Sequence, residues 1–301
     1  MFGNALHCSF LLLAFFLQTN PSLATPANGY TTDLIIHQND IWQQAYSNRH
    51  VTYTSVVEYD ADTKDWLSDA QLAGLARQAY AEMVPIYAAN RVTCGSNYPL
   101  IPPVMSALAI GNRVYFASSF KGNSNPNIFF KPADAMANNQ PAISDITRTL
   151  NECGISQQGY PMPGMLRHNQ NGNCGEIVAG GIYMAVNKQP LSAVAKPGGV
   201  RDNVVNARIA PWYGAVEMVN GNLVPKDGGI IGPCTGSVSS HGCIRFLESQ
   251  GVNGLRAGSA FENSDRVPVR YLDDSLKDIW NYIGGIHVDE LAGFSDDDME
   301  F

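Results

Sequence analysis

Apolar residues recur at helical spacing between Ser68 and Met83, through Leu72, Leu75, Ala76, Ala79 and Tyr80. Ser68 and Asp69 suit an N-cap region and Pro85 follows closely, so the spacing predicts a helix of that extent. Two β-prone runs come next, Met105 to Ile110 and Arg113 to Ser118, and the Gly111-Asn112 pair between them reads as a hairpin. Further helices are predicted from Ala142 to Glu152, from near Cys174 to about Val186, from Cys243 to Gln250 with Gly251 able to end it, and from Ser275 to Ile283. Ala207 to Val219 reads as a strand with a second around Leu223, and Val267 to Tyr271 as another. Residues 25 to 66 are mixed and polar, with extended pieces at Asp33 to His37 and His50 to Tyr59, and are expected to pack as an irregular N-terminal arm. The order of elements points to an α/β fold, a mixed β-sheet covered by helices.

Composition sharpens this in three places. Forty-five per cent of the 301 residues are apolar, enough to fill a core without relying on disulfides. Residues 1 to 24 hold no Lys, Arg, Asp or Glu, and the run Phe10 to Leu17 followed by Ser22-Leu23-Ala24 fits a signal peptide cleaved after Ala24. The expectation is therefore a secreted protein, extracellular and without a membrane partner once the signal is removed. The end of the chain, 288 to 301, carries Asp289, Glu290, Asp296, Asp297, Asp298 and Glu300 with no base, and reads as a solvated acidic tail. These six acids account for most of the net charge of −8, so the rest of the chain, with the main domain expected over 67 to 287, is nearly neutral. It lacks the broad basic face of a duplex-DNA binder, although a local basic groove is compatible with it.

The chemistry is concentrated in three short stretches: Asn173-Cys174-Gly175-Glu176, Pro233-Cys234 and Ser240-His241-Gly242-Cys243. Three thiolates and one carboxylate suffice to hold a zinc ion and leave a fourth position to water. Cys174 and Cys243 each begin a predicted helix, where the helix dipole lowers a thiol pKa. Glu176, in the first turn after Cys174, would reach that water without ligating the metal and serve as the proton carrier. Apart from Cys8 in the signal, five cysteines remain. If three bind zinc, Cys94 and Cys153 are left as one disulfide; if none does, two disulfides and a free thiol remain, with Cys174 to Cys234 one possible bridge.

These motifs resemble those of the cytidine deaminase superfamily of zinc deaminases, with Gly175 where that family usually has Ala. The resemblance spans residues 68 to 271 as a pattern of elements. It implies Cys174, Cys234 and Cys243 as zinc ligands, Glu176 as the catalytic acid-base, and hydrolytic removal of an amino group from a nucleobase-type amidine. The substrate would be a free base, an uncharged nucleoside or single-stranded nucleic acid. It also places Ser118 and Ser119 at the pocket border, while His168, just before the first ligand, is a candidate to touch substrate. The eight residues separating Cys234 from Cys243 depart from the family spacing of two, which leaves His241 as an alternative ligand and a further substrate-binding candidate. Two other readings compete. Ser240-His241-Gly242-Cys243-Ile244-Arg245 is similar to the nucleophile motif of L,D-transpeptidases, with Cys243 as attacking thiolate. A secreted, non-enzymatic effector or toxin that retains the fold is the third.

Overall fold

A computed structural model of the protein describes residues 33–43, 48–94, 100–122, 167–168, 173–187, 191–192, 207–237, 240–262 and 270–271. The expected signal peptide, the acidic tail, the helices expected at 142–152 and 275–283, and Cys153 lie outside the described residues. No helix among the described residues is long and apolar enough to cross a membrane.

Strands β1 (His37–Gln43) and β2 (Asn48–Glu58) are followed by helices α1 (Thr63–Trp66) and α2 (Asp69–Cys94). The hairpin β3 (Val104–Ile110) and β4 (Arg113–Ser118) comes next, then the short β5 (Lys121–Gly122) and β6 (Arg167–His168) and helix α3 (Gly175–Asn187). Beyond these lie β7 (Arg208–Val219), β8 (Asn222–Ile230), β9 (Gly236–Ser237), β10 (Ser240–His241), α4 (Cys243–Gln250), β11 (Asn253–Gly254) and β12 (Arg270–Tyr271). The main sheet has nine strands in the order β1-β2-β4-β3-β7-β11; β5 and β12 also pair with β2, and β8 pairs with β7. It is antiparallel except where β11 runs parallel to β7. A second, three-stranded sheet has the order β6-β10-β9.

Both faces of the main sheet are covered. Met105, Ala107 and Ala109 of β3 and Val114 and Phe116 of β4 join Leu72, Ala76, Tyr80 and Met83 of α2 in one core. The alternate positions Leu108, Ile110, Tyr115 and Ala117 join Ile177, Val178 and Ile182 of α3 and Phe246 and Leu247 of α4 in the other. Double coverage explains why β3 is nearly continuous in apolar residues rather than alternating. The hairpin closes through Gly111-Asn112 with Ile110 opposite Arg113, and Gly111 takes the positive φ of 58° that glycine allows at the first turn position.

The α2 start follows from a reciprocal cap. Ser68 Oγ accepts from the Gln71 N–H at 3.1 Å while Gln71 Oε1 accepts from the Ser68 N–H at 2.8 Å. The helix does not stop before Pro85, as the sequence suggests, but continues through it to Cys94. Pro85 lies on the exposed side, and burial of Met83, Val84 and Tyr87 on the sheet outweighs the missing N–H.

Residues 37–58 also differ from expectation. The described parts, His37–Gln43 and Asn48–Glu58, are two strands of the sheet rather than an irregular arm, and β2 lies between β1 and β4. Their polarity concealed this. Thr52, Thr54 and Ser55 are fully buried, and each has a partner: Thr52 Oγ1 donates to the Ser118 carbonyl at 3.2 Å, Thr54 Oγ1 accepts from Asn39 Nδ2 at 2.7 Å, and Ser55 Oγ donates to the Leu34 carbonyl. Paired in this way, polar side chains are tolerated in the interior.

Candidate metal centre

The three cysteines converge. Cys174 precedes α3, Cys234 follows β8, and Cys243 opens α4, and their sulfurs all lie within 4.8 Å of one another. Cys234 and Cys243 are the nearest pair, at 3.3 Å. All three are free thiols, so the alternative bridge between Cys174 and Cys234 is not formed. Cys243 is fully buried and the other two are half-buried.

Each sulfur is positioned by a local reason. The Cys174 carbonyl accepts from the Ile177 and Val178 N–H groups at 3.0 and 3.1 Å and starts α3, while the Asn173 carbonyl accepts from the Phe120 N–H at 2.8 Å, tying this turn to the end of the hairpin. Gly175 is required here: a Cβ would lie 2.7 Å from the Ala117 carbonyl oxygen and 2.8 Å from Ser106 Oγ, so even alanine does not fit. Pro233 seats Cys234 by packing against Gly254 of β11, where a Cβ would stand 2.2 Å from Pro233 Cγ. Cys234 then caps α4. Its Sγ accepts the Cys243 N–H at 3.0 Å and its carbonyl accepts the Ile244 N–H at 3.1 Å, because the N-cap residue Gly242 offers no side chain.

This donor set fits zinc. Zinc–sulfur bonds of about 2.3 Å at tetrahedral angles put two sulfurs roughly 3.8 Å apart, within the range found here after small adjustments. The N–H bond to Cys234 Sγ is the kind of outer contact that orients a thiolate ligand. Sulfur-to-sulfur contact with Cys234, then burial, pushes the Cys174 thiol well up, and contacts with Cys174 and Cys234 do the same to Cys243. The lowering expected from the helix starts is thus outweighed. Sulfurs this close carry negative charge together only around a cation.

Glu176 is 3 % exposed, in the first turn of α3. Burial pushes its carboxyl up to about 7, the Cys234 sulfur adds to the rise, and its own backbone N–H opposes it. A carboxyl that titrates near neutrality can both take and give a proton.

The remaining candidates divide. Ser118 Oγ accepts from the Tyr53 N–H at 3.0 Å and lies 3.2 Å from Thr52 Oγ1, contacts that tie β4 to β2. It also shares the strand parity of Val114 and Phe116, on the α2 side. Ser119, next along, has a buried Oγ with no hydrogen-bond partner among the described residues. His168 and His241 are register partners on the parallel strands β6 and β10. Cys243 is the third member of the sulfur cluster. Cys94 ends α2, and its expected disulfide partner lies outside the described residues.

The eight residues between Cys234 and Cys243 supply the hairpin β9–β10, which returns the chain to the centre. Sequence reasoning gave no role to Asn173 and Ser106, whose Oδ1 and Oγ are likewise buried with no partner among the described residues. Asn173 could have been noticed from its place beside Cys174; Ser106, distant in sequence, gave no signal. A cleft of about 470 Å³ between α2 and the β7–β8 hairpin, lined by Arg77, Tyr80, Trp212 and Lys226, lies on the α2 side and shares no residue with the centre. No protein-family model matches the chain, and comparison with curated proteins and with solved structures finds no match.

Proposed function

We propose that the protein is a secreted, zinc-dependent hydrolytic deaminase of nucleobase-type amidines, built on a cytidine deaminase-like fold. The observation that carries this reading is the joining of three sulfurs within 4.8 Å to a buried carboxyl two residues from one of them. The element order supports it as well: α2, the β3–β4 hairpin, α3 beginning beside Cys174, β7, Pro233-Cys234, then α4. Cys174, Cys234 and Cys243 would hold zinc, which supplies an acidic water near neutral pH. Glu176 accepts a proton on a carboxylate oxygen and delivers it to the departing amino group. In the net reaction the bond between the ring carbon and its exocyclic amino nitrogen breaks, and the water oxygen becomes the carbonyl oxygen on that carbon. The amino nitrogen leaves as ammonia with one proton of the water, and the other proton goes to the ring nitrogen.

The transpeptidase reading needs an accessible nucleophile, whereas Cys243 is fully buried and touches the Cys234 sulfur at 3.3 Å. A binding-only effector has no need of a buried carboxyl beside three sulfurs. The test is metal analysis with an ammonia assay on cytosine, adenine and guanine nucleosides and on single-stranded oligonucleotides. Zinc lost in Cys174→Ala, and ammonia lost but zinc kept in Glu176→Gln, support the reading. Zinc binding without deamination of any substrate favours the effector, and muropeptide crosslinking favours the transpeptidase.

A further inference from the structure

Two of the three sulfurs are held side by side by the backbone as well as by the cluster. Cys234 and Cys243 both carry thiols, and their sulfurs touch at 3.3 Å. The Cys243 N–H donates to Cys234 Sγ at 3.0 Å, and the Ile244 N–H donates to the Cys234 carbonyl at 3.1 Å. The chain between them turns back through the β9–β10 pairing, with Ser240 opposite Ser237. Cys174 is anchored elsewhere. Its carbonyl accepts from the Ile177 and Val178 N–H groups of α3, and Gly175 beside it leaves no room for a Cβ against the Ala117 carbonyl oxygen.

A disulfide holds its sulfurs about 2.05 Å apart, so the Cys234 and Cys243 pair closes with an approach of roughly 1.3 Å. Side-chain rotation is able to supply a movement of that size with the two backbones left in place. A bridge from Cys174 instead draws the start of α3 away from the strand it packs against. Burial also sorts the pair. In thiol–disulfide exchange one thiol meets the outside disulfide and the other then attacks from within. Cys234, half-buried, is suited to the first step. Cys243 is fully buried, which bars an external substrate but not an attack on the sulfur already touching it.

We propose that Cys234 and Cys243 are a reversible disulfide site whose closure removes two of the three sulfurs from the metal centre. This rests on the metal-centre part of the reading above and not on deamination. The oxidant is a small-molecule disulfide, represented by glutathione disulfide. The Cys234 sulfur displaces one glutathione as its thiol and forms a mixed disulfide. The Cys243 sulfur then attacks the Cys234 sulfur and displaces the second glutathione. The protein pair loses two electrons and two protons, and glutathione disulfide gains them as two thiols. Bound zinc opposes closure, because sulfurs joined to each other no longer offer thiolates to the metal.

The test incubates the full chain in glutathione mixtures from fully reduced to fully oxidised, with and without zinc, then blocks the remaining thiols and digests with trypsin. Both cysteines lie in one tryptic peptide, residues 227–245, and Cys174 lies in another, residues 168–188. Closure is therefore read by mass as the loss of two hydrogens from the first peptide. The expected result is that this form replaces the dithiol as the mixture becomes oxidising, carries no glutathione, and reopens when reduced glutathione is restored. Zinc at about ten times its Kd is expected to lower [GSH]²/[GSSG] at half-closure by about tenfold. Cys174→Ser leaves closure intact in the absence of zinc. A peptide that stays dithiol or carries glutathione in the fully oxidised mixture, or a crosslink between the two peptides, overturns the site. Closure indifferent to zinc that the chain binds overturns the antagonism. If the chain binds no zinc, the metal reading fails, and the peptide mass still decides the bridge.

Discussion

The Cys243 backbone N–H donates to Cys234 Sγ at 3.0 Å, so one sulfur both caps helix α4 and belongs to the three-sulfur cluster. Fold and site are coupled at this atom. Cys234→Ala is expected to lose metal and also to lower the stability of the chelator-treated protein by about 1 kcal/mol, the usual cost of a lost N-cap. Urea unfolding in chelator measures this. A variant as stable as the parent shows that the N–H has another acceptor.

Gly175→Ala tests the close approach beneath the first ligand. A Cβ there meets the Ala117 carbonyl, which is backbone of a buried strand and has little room to yield. The variant is expected to lose about 1–3 kcal/mol, as overpacked cores do, and to bind zinc more weakly because the start of α3 must shift. Unchanged stability and zinc affinity together contradict the geometry.

Asn173→Ala and Ser119→Ala address two buried atoms with no hydrogen-bond partner among the described residues, one next to Cys174 and one at the end of the hairpin tied to it through Phe120. If these atoms hold substrate, each variant keeps its zinc and its fold while kcat/KM falls by about ten- to a hundredfold, the worth of a lost polar contact. Full activity in both variants assigns these atoms to packing or water.

Glu82 carries the clearest pH dependence outside the centre. Its two carboxylate oxygens accept from the Leu34 N–H at 2.9 and 3.1 Å and fix the chain ahead of β1. Burial raises its pKa, against the bonds from Leu34 and Gln78. A carboxyl raised on folding binds its proton more tightly in the folded state. Its contribution is therefore full below the ordinary carboxyl range and is lost as pH rises through the raised value. The stability of the parent relative to Glu82→Gln is expected to fall from pH 4 to neutrality, and a difference constant across that range rules this out.

Much of this was legible in the sequence because local signals agreed with tertiary demands. The Gly111-Asn112 turn, the start of α2 at Ser68 and the stop of α4 at Gly251, with φ 74°, each lie where residue chemistry places them. The three cysteines were legible as types and by their neighbours, and folding brought them together. Illegible features depended on distant partners. Pro85 is tolerated because the opposite side of its helix is buried. β2 hides in polar residues satisfied by Leu34, Asn39 and Ser118. The bond from the Tyr53 N–H to the Ser118 hydroxyl is another such long-range partner, invisible from the end of β4 alone.

The most direct measurement of the central claim is X-ray absorption at the zinc edge on the purified full chain, with metal content determined on the same sample. The account predicts one zinc per chain with three sulfur neighbours at about 2.3 Å and one lighter neighbour, and loss of the metal in Cys174→Ala. A folded protein that binds no zinc, or zinc surrounded by no sulfur, contradicts it.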